Sequence, residues 1–435
     1  MMVGSNAYSL NVLFNNQVIA DLSFDPDTDN FHFVYQPQWK LQGFALSPHL
    51  PLEGIIQSSA IRRYLQNLLP ENQGLDHLID YLAVSKQNTF ALIHGIGQDT
   101  SGAVLFVRQD ESIESKTEFR PITTPELVQR LADPSLFAME VWDDKPRLSV
   151  AGVQSKINVL QLNGEFGFGS GDLCSTHIIK FEKSTQQHLV INEFVTMKLA
   201  QLIGLPTANV ELHYFDQYPT LVVERFDRKL VNGVVKRKHL IDACQACNLG
   251  VDRKYERNLG KQRDVAHIRD GVSLKRLFEL TQVCQNPIAA KLTLLNWVLF
   301  NLCVFNHDAH GKNMSFFVSK SGLEPTPLYD LVNVQMYPEF EQELAMAIGD
   351  EFEPHAINAY QLMEFADECQ INSKLLMRQL QKIAKSITEQ LSSAIGLLGE
   401  LSLAQQTYMA KYHQQVEKRC QHFIEQAQEI PKITL

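Results

Sequence analysis

The first part of the chain alternates between apolar and polar side chains, a pattern that predicts β-strands. The alternation runs through residues 8–14 and 31–35, and an apolar run at 103–107 predicts another short strand. Asn15-Asn16 follows the first strand and has the side chains of a tight turn. We therefore predict strands with accompanying helices, an α/β domain, over residues 1–110.

Helical spacing replaces the alternation at residues 58–69, where apolar residues recur at intervals of three and four and a proline follows. A polar segment, residues 108–117, marks the end of this domain. A short helix is predicted to begin near Thr124, with Thr as its cap and Pro in its first turn, and to end before Asp133. We assign residues 111–140 to a connecting segment.

From residue 148 the pattern becomes strand, glycine turn, strand, which is typical of a small nucleotide-binding lobe. We predict such a lobe over residues 141–228, and Gly204 stands where glycine caps the end of its helix. Helical patterns dominate beyond residue 240, so residues 229–435 are predicted to form a mostly helical lobe. The predicted elements of the smaller lobe are strands at 149–152, 157–160, 177–181, 210–213 and 221–224 and a helix at 191–203.

Composition describes a folded chain with a substantial core. Of 435 residues, 45% are hydrophobic and 20% are charged. The net charge of −10 argues against a protein that coats nucleic acid over its whole surface, although it allows a local basic patch. The first residues lack the basic and apolar regions of a signal peptide, so export is not expected. The most apolar stretch, residues 292–305, is shorter than the roughly 20 residues of a membrane span; we predict a buried helix and no membrane.

The seven cysteines are an odd number without repeated spacing, which favours reduced thiols and a cytoplasmic protein. The pair Cys244-x-x-Cys247 leaves three interpretations open. It could be half of a zinc site, a redox pair or two positions on one helix face.

The strongest chemical signal is the spacing of Asp308, four intervening residues and Asn313. In the catalytic loop of protein kinases this Asp receives the proton of the acceptor hydroxyl and the Asn holds Mg²⁺. Asp330, which follows an apolar-flanked turn, would supply a second metal ligand. Any of the three residues alone is also explained by a helix cap or an ordinary turn, so the interpretation depends on the rest of the chain.

Several upstream features suit a nucleotide. Residues 149–156 could wrap phosphates with backbone N–H groups and a nearby lysine, or form a plain β-turn. Lys180 ends an apolar strand and could reach phosphates or lie on the surface. Glu193, on the next helix, could pair with Lys180 or be an exposed acid. Residues 221–228 run from an apolar strand into a charged segment and suit a hinge whose backbone holds adenine.

In chain order these pieces resemble the HipA family of bacterial toxin kinases, over almost the whole chain. The resemblance implies an α+β, bilobal protein-kinase-like fold with an extra N-terminal α/β domain and a mostly helical C-terminal lobe. This chain departs from the best-known family loop at Ser155, where an acidic residue can stand, and at Asn306-His307, where small residues precede the Asp. The matching motifs are residues 149–156, 176–180, 224–228, 308–313 and 329–330, with 67–71 and 101–104 in the first domain.

The resemblance also implies a role for each residue of the site. It makes the protein an ATP- and Mg²⁺-dependent serine/threonine-protein kinase, with Asp308 as catalytic base and Asn313 and Asp330 as metal ligands. Ser149 would be the autophosphorylation site, where phosphate adds roughly −1.5 to −2 charge beside the nucleotide loop. The implied ATP-binding residues are Ala151, Gly152, Val153, Gln154, Ser155, Lys156, Lys180, Glu224, Arg225, Phe226, His310, Gly311, Lys312, Asn313, Tyr329 and Asp330.

The partners implied by the resemblance are a small helix-turn-helix antitoxin of the HipB type and, through their complex, operator DNA. The implied protein substrate is a translation component, glutamyl-tRNA synthetase. Within the acidic chain, four basic residues recur at helical spacing and could contact DNA phosphates or simply form a solvated face. They are Lys374, Arg378, Lys382 and Lys385.

Two other functions use the same residues. A small-molecule or lipid phosphotransferase shares the Asp, Asn and Asp chemistry. A catalytically silent DNA-binding co-repressor is the other alternative, although the intact Asp308, Asn313 and Asp330 argue against it.

Overall fold

The computed structural model describes residues 8–96, 99–109, 116–133, 139, 141–143, 145–146 and 154–435. These residues divide into two compact units, and neither unit is continuous along the chain. Unit 1 comprises the described residues up to Phe181, with His213–Val251 and Phe316–Gly322. Unit 2 comprises Glu182–Leu212, Asp252–Ser315 and Leu323–Leu435.

Unit 1 begins with a four-stranded antiparallel sheet in the order β3-β2-β1-β4. Asn15 and Asn16 both have positive φ and join β1 to β2 as a two-residue hairpin turn, as their side chains predicted. Along β3, side chains are buried and exposed in strict alternation. The elements are β1 (Ser9–Phe14), β2 (Gln17–Asp25), β3 (Asn30–Tyr35), α1 (Pro37–Gln42), α2 (Ser58–Gln66), α3 (Asn72–Leu82), α4 (Thr89–Ile96) and β4 (Val104–Arg108).

The connecting helix of unit 1 begins one residue earlier than its predicted cap implied. Thr123 rather than Thr124 is the cap, and it exchanges hydrogen bonds with Glu126 in a capping box. Leu127 of this helix packs with Trp142, Ile179 and other buried side chains in one apolar cluster. The elements here are β5 (Glu118–Pro121), α5 (Thr124–Ala132), β6 (Val141–Trp142), β7 (Lys145–Pro146), β8 (Lys156–Leu162), β9 (Glu165–Ser170) and β10 (His177–Phe181).

The chain then contributes one helix to unit 2, α6 (Leu189–Leu202), after which Ile203 and the positive-φ Gly204 end it as predicted. It returns to unit 1, where six strands form a sheet in the order β11-β12-β10-β8-β9-β5. The elements are β11 (Val210–Phe215), β12 (Tyr218–Glu224), β13 (Arg228–Val231), β14 (Val234–Arg237), β15 (Leu240–Asp242) and α7 (Ala243–Ala246).

The remaining elements are mainly helices of unit 2, and α11 packs against α6, α9 and α12. By length and hydropathy, α9 is the one helix among the described residues that could cross a membrane, but 61% of it is buried inside the protein. It is therefore a core helix, as predicted. These elements are α8 (Leu274–Leu280), α9 (Pro287–Val304), β16 (Ser315–Ser319), β17 (Gly322–Pro325), α10 (Ala359–Glu368), α11 (Ser373–Gly396) and α12 (Leu403–Glu429).

The four-part domain division stays a prediction, since the compact units group the first domain with most of the predicted nucleotide-binding lobe. The predicted strand at 149–152 lies outside the described residues.

All seven cysteines are free thiols, and Cys244 and Cys247 lie on α7 and at its end. No group of three or more metal-binding acids, histidines or cysteines occurs among the residues the structure describes.

Candidate active site

The catalytic loop of unit 2 begins where α9 ends. Phe305 closes the helix with φ of 57°, a left-handed conformation that turns the chain sharply. Asn306 then bonds back to the helix twice, from its backbone N–H to the carbonyl of Asn301 at 2.9 Å and from its amide to the Asn301 side chain at 3.0 Å. The helix end therefore fixes the direction in which the loop leaves.

Asp308 and Asn313 are held together inside this loop. The Asn313 amide nitrogen donates to the Asp308 main-chain carbonyl at 2.8 Å, and the His310 N–H donates to the same oxygen at 2.8 Å. Because its nitrogen is engaged, Asn313 offers its amide oxygen as the atom for a metal, and oxygen ligands suit Mg²⁺. The Asp308 carboxylate accepts a hydrogen bond at 2.7 Å from the hydroxyl of Tyr255.

The residues between them are packed tightly. Gly311 lies against Val272, and a Cβ at this position would come within 2.6 Å of the valine side chain. Its N–H donates to the carbonyl of Lys254 at 2.9 Å. The Tyr329 hydroxyl donates to the main-chain carbonyl of Lys312 at 2.7 Å, so the predicted Tyr329-Asp330 pair is anchored to the catalytic loop.

Asp330 has φ of 58°, in the left-handed region that non-glycine residues rarely adopt. Its carbonyl accepts from the Asn306 amide at 3.4 Å, so the same asparagine fixes the start of the catalytic loop and the backbone of Asp330. Strained backbone of this kind is often retained at functional positions. The donor set of Asn313 and Asp330 is an amide oxygen and a carboxylate, which fits a hard cation such as Mg²⁺.

In unit 1, Lys156 and Lys180 stand directly opposite each other on β8 and β10. Directly opposed residues of antiparallel strands share one face of the sheet. Both side chains are almost fully buried, with exposed fractions of 5% and 7%. Two lysine ammonium groups on one face of the sheet can both donate charge-assisted hydrogen bonds to an anion such as a phosphate. Ser155 and Gln154 precede Lys156, and the Gln154 amide donates to the carbonyl of Phe181 at 3.2 Å.

The hinge segment, residues 224–228, divides its residues between two roles. Glu224 is exposed at the end of β12, and the Phe226 ring meets the Phe317 ring edge-on at 5.8 Å between centroids. Arg225 is buried instead, and its guanidinium forms an ion pair with Asp227 at 2.9 Å. The Arg225 side chain is therefore engaged inside unit 1. Its backbone is engaged as well, because the N–H donates to the carbonyl of Thr176 at 2.9 Å and the carbonyl accepts from the N–H of Arg228 at 3.2 Å. The contact of Arg225 with ATP stays a prediction.

This buried ion network extends into the first domain. Arg228 contacts the Asp227 carboxylate at 2.6 Å and donates to the Thr100 carbonyl at 2.6 Å. Arg225 donates to the Ser175 hydroxyl at 2.8 Å, and that hydroxyl donates to Asp99 at 2.6 Å. Burial alone would raise the pKa of Asp227, but the two guanidinium groups outweigh it and lower this pKa to about 2. The network is thus fully charged at neutral pH.

The other predicted residues have these positions. Ser149, Ala151, Gly152 and Val153 lie outside the described residues. Glu193 is fully buried on α6, so the interpretation as an exposed acid is wrong. Tyr255 was not predicted at all, because it belongs to no kinase motif and its contact with Asp308 depends on tertiary structure. The four basic residues predicted as a face all lie exposed on α11: Lys374, Arg378, Lys382 and Lys385.

Comparison with known proteins establishes the family. The family model of the HipA-like C-terminal domain matches residues 148–395, and that of the HipA N-terminal domain matches residues 10–107. This chain belongs to the HipA family. The resemblance predicted from the sequence motifs is therefore confirmed.

Individual relatives support the same conclusion. The serine/threonine-protein kinase toxin HipA of Shewanella oneidensis is 49% identical over 425 residues, which are 97% of this chain and 98% of the relative. A putative kinase of Sinorhizobium fredii is 31% identical over 390 residues, 87% of this chain and 90% of the relative. A solved structure of HipA, HipB and operator DNA from S. oneidensis MR-1 matches with a TM-score of 0.92 and 48% identity, covering 98% of this chain and 100% of that chain. The predictions of a kinase and of an α+β kinase-like fold are confirmed.

Proposed function

We propose that this HipA-family chain is a toxin kinase that transfers the γ-phosphate of ATP to a protein hydroxyl. Asp308 is the base that receives the hydroxyl proton, and Asn313 and Asp330 hold Mg²⁺. The observation that carries this proposal is the fixed geometry of the catalytic loop. The Asn313 amide nitrogen donates to the Asp308 carbonyl at 2.8 Å, so the amide oxygen is the atom directed to a metal. In phosphoryl transfer a bound Mg²⁺ neutralises charge on the phosphates, and positioning by the protein supplies most of the remaining catalysis.

In unit 1, the buried Lys156 and Lys180 are proposed to bind phosphate oxygens. The two side chains lie opposite each other on β8 and β10, and each ammonium group can donate a charge-assisted hydrogen bond to a phosphate oxygen. The exposed end of β12 at Glu224 and the ring of Phe226 are proposed to receive adenine, through backbone hydrogen bonds and apolar contact. The predicted nucleotide contacts of His310, Gly311 and Lys312 belong to this same proposal.

The acceptor is proposed to be glutamyl-tRNA synthetase, and Ser149 is proposed to be phosphorylated by the enzyme itself. A phosphate on Ser149 would place negative charge beside a loop that must accept an anionic nucleotide, and so would switch the kinase off. We also propose a cytoplasmic location, which the seven free cysteines support.

Phosphate incorporation from labelled ATP tests the proposed reaction. The native chain with Mg²⁺ is expected to label the synthetase and its own Ser149. Asp308→Asn is expected to lower both rates by about 10²- to 10⁴-fold, the range of a general base. Asp367→Asn, at an exposed carboxylate of α10, is the matched control and should label at the native rate. Labelling only of small molecules or lipids would refute a protein acceptor.

Ser149→Ala separates the two acceptors. This variant should lose self-labelling, retain labelling of the synthetase and stay active for longer, because the inhibitory phosphate cannot form. Self-labelling that persists in Ser149→Ala at the native stoichiometry would refute the assignment of this serine.

A partner is proposed as well: an antitoxin of the HipB type, and operator DNA through their complex. The structure of the Shewanella HipA contains HipB and operator DNA, which supports this proposal. The basic face of α11 supports direct contact with phosphates, because all four side chains are exposed on one helix. Contact with phosphates releases counterions and therefore makes affinity depend on salt.

Charge removal tests the basic face. Replacing Lys374, Arg378 and Lys382 by Gln should weaken operator binding by the antitoxin complex and lower the slope of log K against log salt by about 0.9 per lost contact. Lys411→Gln with Lys418→Gln, at exposed positions of α12, provides a control with similar chemistry. An unchanged slope in the α11 variant would show that this face is only solvated.

A further inference from the structure

Tyr255 is bonded to the catalytic carboxylate but belongs to none of the motifs that identify the kinase. Its hydroxyl donates to Oδ1 of Asp308 at 2.7 Å, and the two residues are 53 positions apart in the chain. A phenol hydroxyl is a strong donor to a charged acceptor, and such bonds are roughly twice as strong as neutral ones. The remaining question is whether the protein holds Tyr255 firmly enough for this bond to act on Asp308.

One side of the Tyr255 backbone is fixed by residues 271 and 272. The Val272 N–H donates to the carbonyl of Arg253 at 2.9 Å, and the Gly271 N–H donates to the carbonyl of Glu256 at 3.2 Å. At Gly271, a Cβ would lie only 1.8 Å from the carbonyl oxygen of Tyr255. Glycine is therefore required at this position for the two segments to pair.

The other side links Tyr255 to the loop of Asp308. The Glu256 N–H donates to the carbonyl of Ala345 at 3.0 Å, and the Ala345 N–H donates to the carbonyl of His307 at 2.9 Å. The neighbour of Tyr255 is thus connected through one residue to the neighbour of Asp308. The Glu256 carboxylate strengthens this link because it accepts from the N–H of Ala347 at 2.8 Å.

The ring of Tyr255 is also placed by the catalytic loop. It meets the His310 ring edge-on, with 5.1 Å between centroids and an interplanar angle of 84°. The Gly311 N–H donates to the carbonyl of Lys254, one residue before Tyr255. Backbone and ring are therefore both fixed relative to Asp308.

From this geometry we infer that Tyr255 is a positioning residue, which holds the Asp308 carboxylate in one orientation for proton transfer. The hydroxyl occupies Oδ1, so Oδ2 is the oxygen directed at the acceptor hydroxyl. This inference rests on the proposed role of Asp308 as base.

Tyr255→Phe tests the inference because it removes only the hydroxyl. We expect kcat to fall about tenfold to a hundredfold, while KM for ATP stays within about twofold. KM and thermal stability should hold, because Tyr255 acts through the orientation of Asp308 and not through the binding of ATP. A purely structural role for Tyr255 would instead change KM or stability together with kcat.

Tyr360→Phe is the matched control. The Tyr360 hydroxyl is also hydrogen-bonded to a carboxylate, that of Glu364, but at an exposed position of α10. This variant should retain the native kcat and KM. Binding of ATP and thermal unfolding, measured for both variants, show whether each is folded.

The outcomes separate this inference from the proposed function. If Asp308→Asn is inactive and folded Tyr255→Phe has the native kcat, Tyr255 does not position Asp308. If Asp308→Asn itself retains activity, the proposed base is wrong. Should Tyr255→Phe fail to fold, Tyr255→Met and Tyr255→Leu, which also remove the hydroxyl, take its place. A native kcat in either folded variant would overturn the inference.

Discussion

The hinge segment of unit 1 and the catalytic loop of unit 2 are both rich in charge, yet they use charge in opposite ways. In the hinge segment, the guanidinium groups of Arg225 and Arg228 are neutralised by the carboxylates of Asp227 and Asp99. In the catalytic loop, the Asp308 carboxylate is bonded to a neutral hydroxyl, that of Tyr255. The difference shows that a charged motif residue can serve stability or chemistry, and that the identity of its partner decides which.

The largest loss of stability is expected from the replacement of Asp227. Asp227→Ala leaves the guanidinium groups of Arg225 and Arg228 buried without the carboxylate between them. We expect the free energy of unfolding to fall by about 3–5 kcal/mol, the usual result of removing one partner of a buried pair. Urea unfolding measures this change.

Glu118→Ala is the control for an ion pair on the surface. The side chains of Lys116 and Glu118 are 83% and 56% exposed, so this loss should stay below about 1 kcal/mol. Equal losses in the two variants would contradict the distinction between buried and exposed charge in unit 1.

Lys180→Met should weaken ligand binding. Lys180 lies opposite Lys156 on one face of the sheet, and its removal takes one charged donor away from the phosphates of ATP. We expect the Kd for ATP to rise about tenfold to a hundredfold, as for loss of one charge-assisted hydrogen bond. Titration calorimetry measures this. Lys229→Met, an exposed lysine of β13, should leave the Kd unchanged; a Kd for Lys180→Met that equals the native value would contradict the proposed phosphate contact.

Gly311→Ala tests the packing of the catalytic loop. The new Cβ would be 2.6 Å from a methyl carbon of Val272, and overpacking of this kind costs about 1–3 kcal/mol. We expect lower thermal stability and a lower kcat, since the loop must shift. Gly396→Ala, at the end of α11 where a Cβ meets nothing within 4 Å, should leave both unchanged or raise stability slightly. A native kcat in Gly311→Ala would show that the loop tolerates the shift.

The smallest effect on stability is expected from a buried histidine, and it should appear only as a change in the free energy of unfolding with pH. His239 accepts from the N–H of Ala103 and bonds to the carbonyl of Leu46, and burial lowers its pKa from 6.5 to about 4. A lowered folded pKa contributes stability above the unfolded pKa, and that stability is lost as pH falls from 6.5 towards 4. Between pH 7 and 5.5 the free energy of unfolding should drop by about 1 kcal/mol through His239.

His239→Gln should flatten this pH dependence even though it lowers stability at every pH. His307 of unit 2, whose pKa burial lowers to about 3, adds a similar dependence that remains in the variant. Unfolding measured over this pH range gives the slope, and an exposed His32→Gln serves as the control. Identical slopes in native protein and His239→Gln would refute the contribution.

Local patterns predicted the regular elements well where apolar residues repeat. The strand at 177–181 is β10 residue for residue, and Ile179 and Phe181 of this strand pack into one apolar cluster. The hairpin of β13 and β14 was missed, although Asn232-Gly233 between them is a strong turn signal. Its strands are short and basic, and so lack the apolar alternation that marked the others.

The site was predictable only as far as motifs reach. The spacing of Asp308, Asn313 and Asp330 in the sequence predicts their roles. The burial of the Arg225 side chain, in contrast, depends on contacts with Asp99 and Thr100, which lie more than 100 residues earlier. Tyr255 reaches Asp308 through irregular backbone pairing that no local pattern encodes. Contacts of this kind depend on tertiary structure, and a sequence alone contains no direct sign of them.

The interleaved chain paths of the two units have a consequence for synthesis. Unit 1 is not complete until Phe316–Gly322 has been made, and by then Asp308 and Asn313 are already present. Unit 2 also includes Leu323–Leu435. When the catalytic loop has just been synthesised, most of the helical residues of unit 2 have therefore not yet been made. Because domains generally fold as units, a nascent chain of this toxin family gains an ordered catalytic loop only late in translation.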